Sequence, residues 1–208
     1  MNKKRLLIIF VKNPELGKCK TRLAATIGDE KALNFYKNML VRTKEVTVHV
    51  NSDKAVYYSS FIDENDLWPN QAPFYKHLQY KNTDLGIKMQ SAFEEAFQSG
   101  YESVCIIGSD CYALDEKVIK KAFDALENQE TVLGPCKDGG YYLLGMNKLY
   151  PEFFRNKNWS TETVTPDTIR DFIDLRLNYS LLDELIDIDN EEDLNSLPKE
   201  KIIELLSF

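Results

Sequence analysis

The hydrophobic positions along the chain fall into two alternating rhythms. Short apolar runs at 5–11, 46–50, 103–107 and 131–135 have the length and branched character of strands buried on both faces. Between them lie stretches whose apolar residues recur at i, i+3 and i+4. Ala32, Leu33, Tyr36, Met39 and Leu40 predict a helix over 29–42, with Asp29 as its N-cap. Leu85, Met89, Ala92, Phe93, Ala96 and Phe97 trace one face of another, ending at Gly100 and capped by Thr83 or Asp84. Val118, Ile119, Ala122, Phe123 and Leu126 predict a third over 115–127, and a fourth is expected over 162–174. The stretch 54–76, with its aromatic residues, acids, Pro69 and Pro73, reads as an irregular helix and a surface loop. Short strands are expected at 78–80 and 175–179, and two short helices after the acidic run that starts at Asp187.

Strand and helix alternate through roughly the first 135 residues, which predicts βαβ units around a mostly parallel sheet. Asp138-Gly139-Gly140 then interrupts the pattern. A Gly-Gly pair there serves either a tight hairpin or the close approach of backbone to a ligand. The expectation is an α/β fold with a small antiparallel insertion, in one domain spanning 1–208, since no repeat or linker divides the chain.

Charge and composition narrow the function classes. The net charge of −7 argues against a surface built for nucleic acid, although the first loop is locally basic. Met1-Asn2-Lys3-Lys4-Arg5 and the apolar run after it resemble the start of a signal peptide, but Lys12-Asn13-Pro14-Glu15 stands where a cleavage site would be. No run reaches the roughly 20 residues that span a bilayer, so a cytoplasmic location is expected. Cys19, Cys105, Cys111 and Cys136 match neither a zinc site nor a redox pair. Cys105 reads as core, and no disulfide is expected.

The candidate chemistry gathers where strands end. Gly108 closes the apolar run 103–107, so Ser109 and Asp110 emerge at the carboxyl end of a central strand, where ligands bind in open α/β sheets. An acid fixed there either holds a hard cation against phosphates or caps the next helix. The first loop, with Lys12, Lys18, Lys20 and Arg22, suits phosphate as well as it suits solvent. It is not a Walker A loop, because Cys19 stands where Ser or Thr must follow the lysine and Lys12 where a glycine is needed. Five carboxylates within 187–193 form either a solvated face or the source of a second cation ligand.

Several separate stretches, in this order, strongly resemble the bacterial DUF2064 family. They are Phe10-Val11-Lys12-x-Pro14-x-x-Gly17-x-x-Lys20-Thr21-Arg22-Leu23, Asp84-Leu85-Gly86-x-x-Met89, Ile107-Gly108-Ser109-Asp110-Cys111, Leu133-Gly134-Pro135-x-x-Asp138-Gly139-Gly140-Tyr141, Trp159-Ser160-Thr161 and Asp187-x-Asp189. The family is classed with glycosyltransferases of the GT-A, nucleotide-diphospho-sugar transferase fold, a Rossmann-like sheet with helices on both faces. It is related to nucleotidyltransferases such as the 2-phospholactate guanylyltransferases. Tyr112 departs from the pattern, which usually has Pro there; it should alter the loop's stiffness rather than its carboxylate.

The resemblance implies roles. Lys12, Lys20 and Arg22 would cradle nucleotide phosphates, with Asp84 and Ser109 also on the nucleotide side. Asp110 would be the metal-binding acid, with Asp189 as the second ligand of a Mg²⁺ or Mn²⁺. Asp138 would be the general base, beside Gly139 and Gly140, while Trp159, Ser160 and Thr161 would line the acceptor side. The implied reaction moves a sugar from a nucleotide-diphosphate donor to a small-molecule acceptor. The alternative joins a nucleoside triphosphate to a phosphorylated small molecule and releases pyrophosphate. The oligomeric state is left open.

Overall fold

The computed structural model describes residues 3–207; Met1, Asn2 and Phe208 of the expected domain lie outside the described residues. The strands are β1 (Arg5–Val11), β2 (Asp53–Tyr58), β3 (Phe74–Leu78), β4 (Ser103–Ile107), β5 (Thr131–Pro135), β6 (Tyr141–Met146) and β7 (Tyr179–Leu181). They form one seven-stranded sheet in the order β3-β2-β1-β4-β6-β5-β7. Only β6 runs against its neighbours, pairing antiparallel with both β4 and β5. The helices are α1 (Thr21–Ile27), α2 (Asp29–Val48), α3 (Leu85–Gln98), α4 (Glu116–Ala125), α5 (Val164–Asp174), α6 (Glu191–Asn195) and α7 (Lys199–Leu206). The mostly parallel α/β sheet with a small antiparallel part is therefore observed.

The two-residue period of the central strands divides the core. Leu7, Ile9 and Val11 of β1 with Cys105 and Ile107 of β4 face Tyr36 and Leu40 of α2 and Ile119, Ala122 and Phe123 of α4. Leu6, Ile8, Val104 and Ile106 point the other way, onto Met89, Ala92, Phe93 and Ala96 of α3 and Phe172 of α5. Each fully buried Leu, Ile or Phe contributes about 1.5–3 kcal/mol relative to exposure. A third cluster, Leu23, Phe35, Met39, Ile188, Leu194 and Leu205, fastens α6 and α7 beside α1 and α2.

Three expectations need correction. Residues 46–48 are the last turn of α2 rather than a strand; the β-branched Thr43 and Thr47 are buried on its inner face, with their hydroxyls satisfied by carbonyls one turn back. The second strand lies at Asp53–Tyr58, inside the stretch that reads as irregular. Its mixed sequence conceals burial: Lys54 is buried and donates to the carbonyls of Val50 and Ser52, and Lys76 of β3 pairs with Asp66. Third, the outer strands sit at Phe74–Leu78 and Tyr179–Leu181, shifted from the expected 78–80 and 175–179. The helix α1 is also additional to the expected elements.

Gly145 of β6 faces the core at the crossing of β5, β6 and β4. A β-carbon there would meet Val132 Cγ1 at 2.7 Å and Cys105 Sγ at 2.8 Å. Gly145→Ala should therefore destabilise the protein by about 1–3 kcal/mol, as over-packing does. Urea unfolding checks this as a lower midpoint at unchanged slope; an unshifted midpoint would show that the layer yields freely.

Candidate active site

β1 and β4 are parallel neighbours, so both chains leave the sheet on the same edge; β4 ends at Ile107, opposite Ile9, and β1 runs two residues further, to Val11. The loops that follow open onto a cavity of about 530 Å³. Its floor is the carboxyl ends of these strands, its basic side Lys12, Lys20 and Arg22, and its far wall Leu85, Lys88 and Met89 of α3 with Tyr141 and Trp159. Asp110, Asp138, Asp187 and Asp189 all reach it.

Tyr36 joins the two loops. Its hydroxyl accepts from the Lys12 N–H at 2.8 Å, bonds the Lys12 carbonyl at 3.2 Å and shares a hydrogen with Ser109 Oγ across 3.1 Å. Asn13 fastens the first loop to the end of β2: its amide donates to the Phe61 carbonyl and its oxygen accepts from Ser60 N–H. Tyr112 is held from α2, where Arg42 Nε donates to its carbonyl at 2.9 Å and the guanidinium lies 4.7 Å from its ring centre.

The acids come from two distant parts of the chain. Ile188 N–H donates to the Asp110 carbonyl at 3.0 Å, and the Ile188 side chain is buried among Leu23, Phe35 and Met39. With Ile188 pointing inward, Asp187 and Asp189 on either side of it turn to the cavity. Lys20 then lies between Asp110 and Asp189, its Nζ 2.8 Å from Asp110 Oδ1 and 2.9 Å from Asp189 Oδ1. The lysine side chain is only 5% exposed. Burial works against its charge, yet the two carboxylates outweigh burial and hold its pKa above the usual lysine value. Burial likewise opposes ionisation of Asp189, but Lys20, Arg22 and Lys12 more than offset it and lower its pKa. The Lys20 backbone is left-handed, at φ 49° and ψ 46°, a conformation that costs a non-glycine residue roughly 1–2 kcal/mol.

Other predicted residues have local roles. Arg22 is largely exposed, 3.9 Å from Asp189 at its nearest atom, and Lys12 is exposed at the mouth. Ser109 is buried against Tyr36. Asp138 Oδ1 accepts from Gly140 N–H at 2.9 Å, and the carboxylate stays exposed. Gly139 adopts φ +86°, and a β-carbon there would lie 2.3 Å from Glu162 backbone, so glycine lets the segment after β5 pack on the one before α5. Trp159 and Ser160 line the cavity; Thr161 instead donates to the Asn158 carbonyl. Asp84 caps α3 through Ile87 N–H and is not among the lining residues. Trp159 covers Gly86 of α3, where any β-carbon would collide with the indole at 2.6 Å.

Asp187, Tyr36, Gln79 and Lys88 were not singled out from the sequence as site residues. Asp187 was visible as the first acid of Asp187-x-Asp189; nothing in the pattern marks Lys88 or Gln79. Burial first, and then Asp110, push the Asp187 carboxyl up to about 7. One of its oxygens has no hydrogen-bond partner, although the Cys136 thiol bonds the group. Burial and Asp187 in turn raise the Cys111 thiol to about 12, which keeps it from acting as a thiolate near neutral pH. All four cysteines are free.

No group of three or more His, Cys, Asp or Glu side chains among the described residues is arranged as a metal cage. The predicted pair nevertheless fits a Mg²⁺-like ion. Asp110 and Asp189 place oxygens within 2.9 Å of one point, now held by an ammonium, and Mg²⁺ sites commonly use one or two carboxylates with substrate phosphates completing the shell.

An acid whose folded pKa lies above its unfolded value binds its proton more tightly in the native state. Stability from Asp187 is therefore present below about pH 4 and lost as pH rises to about 7, an effect of about 4 kcal/mol at full extent. Asp187→Asn should remove that loss. Urea unfolding from pH 4 to 8 should show the wild type falling relative to the variant across this window; parallel profiles would contradict the assignment.

Comparison with known proteins agrees with this architecture. A crystal structure of a "putative nucleotide-diphospho-sugar transferase" from Desulfovibrio desulfuricans G20 superposes with a TM-score of 0.85 at 29% identity, over 96% of this chain and 88% of that one. An inositol-1-phosphate CTP transferase from T. maritima shares the fold at TM-score 0.54 and 13% identity, over 99% and 96% of the two chains. A 4-diphosphocytidyl-2C-methyl-D-erythritol synthase from Anaerococcus prevotii does so at 0.54 and 10%, over 98% and 95%. The fold is thus that of nucleotide-sugar transferases and cytidylyltransferases. No curated protein matches the chain. The model of DUF2064, described as an uncharacterized protein conserved in bacteria, matches residues 42–161, and the chain belongs to that family.

Proposed function

We propose that the protein is a transferase that moves a sugar from a nucleotide-diphosphate donor to a small acceptor, with a divalent cation at Asp110 and Asp189. The observation that carries this reading is the meeting of cations (Lys12, Lys20, Arg22) and carboxylates (Asp110, Asp138, Asp189) in one cavity at the carboxyl ends of β1 and β4, which Tyr141 and Trp159 also line. Lys12 and Arg22 at the mouth offer a point charge and a fork to a diphosphate. The apolar wall of Leu85, Met89, Tyr141 and Trp159 gives a sugar or acceptor a face to pack on.

Asp110 and Asp189 would hold Mg²⁺ or Mn²⁺, which supplies neutralisation of charge developing on the leaving phosphate. Asp138 takes the proton of an acceptor hydroxyl; the Gly140 N–H fixes the carboxylate's orientation through one oxygen and leaves the other for the acceptor. The left-handed turn at Gly139 sets the distance between this acid and the Trp159 segment.

One observation favours a second reading, nucleotidyl transfer from a triphosphate. Lys88 stands half-buried on the acceptor wall with no ion-pair partner among the described residues, and a cation there suits a phosphorylated acceptor.

Thermal shift with nucleoside diphosphates, their sugars and triphosphates, each with and without Mn²⁺, tests the donor. A ligand at 100 times its Kd adds about 2.7 kcal/mol. Metal-dependent stabilisation by one nucleoside diphosphate and its sugars is expected, and ³¹P NMR of the reaction should then show nucleoside diphosphate release. Pyrophosphate release would move the assignment to nucleotidyl transfer. With the donor known, Asp138→Asn should lower kcat by about 10²–10⁴-fold; full turnover in that variant would remove the general base.

A further inference from the structure

We propose that Lys20 holds the cation position against divalent metal in the nucleotide-free protein and gives it up as the metal enters. This rests on the metal-assisted reading of the site. The Nζ atom is 2.8 Å from one carboxylate and 2.9 Å from the other, and these are the same oxygens a cation needs. A divalent ion on those two oxygens would lie in contact with the ammonium, and at that range like charges repel even though the carboxylates themselves are 43% and 40% exposed. Ammonium and metal therefore compete for these two oxygens.

The local chain is built for displacement of the side chain rather than of the backbone. Lys20 is pinned at the start of α1, where its carbonyl accepts from Ala24 N–H at 2.8 Å. The four-carbon stem is the flexible part and its ammonium is a mobile point charge. A polyphosphate arriving past Lys12 and Arg22 offers that ammonium a new anion, so that metal and nucleotide enter cooperatively. In the nucleotide-free protein the pair of acids is already neutralised to a net single negative charge, too little to retain a divalent ion. This gives the left-handed, buried lysine a purpose that phosphate binding alone does not, since its charge is turned to the protein's own acids.

The test needs only Mn²⁺, titrated without nucleotide and followed by electron paramagnetic resonance of the free ion. Lys20→Met removes the charge at similar length, and Lys20→Gly removes it with a residue that accepts φ 49° without strain. Both should bind one Mn²⁺ per chain at least tenfold more tightly than the wild type, while Lys20→Arg should behave as the wild type. Adding Asp110→Asn to either neutral variant should abolish the gain. Equal affinity in the wild type and a neutral variant overturns the proposal, as does a gain that survives Asp110→Asn. The unmutated protein gives an independent arm: Mn²⁺ alone should leave its Tm in place, and a saturable rise would overturn the proposal even if neither neutral variant folds. No arm contains a nucleotide, so failure to find the donor leaves these results intact, and their failure leaves donor binding untouched.

Discussion

The side-by-side parallel pairing of β1 and β4 is the constraint on which the site depends. Because the two strands run the same way, with Ile9 opposite Ile107 and β1 only two residues longer, the loops after them leave the sheet on one edge, and the basic and acidic residues meet there. Both strands are buried on two faces, so neither can slip by a residue without turning its apolar set against the wrong layer of helices. The register that fills the core therefore also sets the distance between Lys20 and Asp110. A third chain segment is held by backbone bonds from Leu185 to Pro135, from Lys137 to Leu185 and from Ile188 to Asp110, and by Ile188's burial beside α1 and α2.

The charged triad of Lys20, Asp110 and Asp189 makes little sense as a device for stability. Replacing a buried ion pair by apolar residues is often neutral or favourable, because desolvation cancels much of the attraction. Here the arrangement also carries a left-handed backbone at a non-glycine residue and a neighbouring carboxyl, Asp187, with an unpartnered oxygen. Costs of this kind collect where a fold serves a ligand.

Much of this was legible in the sequence, for physical reasons. The runs at 5–11 and 103–107 are apolar without interruption, so two-sided burial and a central place in the sheet could be read directly. Asp110 followed from its position after such a run. β2 escaped and β3 was misplaced by a few residues because their polar residues, Lys54 and Lys76, are buried with local partners that no periodicity reveals. Asp189 emerged from a resemblance, whereas the reason it faces Asp110 lies in a long-range backbone bond. The lysine's engagement with both acids was invisible for the same cause: 169 positions separate Lys20 from Asp189. Asp84 shows the reverse, a residue of a recurring motif whose visible work is to start a helix.

The hydroxyl of Tyr36 has a mechanical meaning. By bonding both the first loop and the strand-end serine from a helix that runs behind them, it rivets the two sides of the floor into a single plate. The opposite bank is seated differently. There the Trp159 segment crosses Gly86, where only the smallest residue fits beneath the indole, and turns at the left-handed Ser160. The two banks are thus unlike: a charged bed bolted from behind by one hydroxyl, and an aromatic wall whose seat depends on the absence of a single β-carbon.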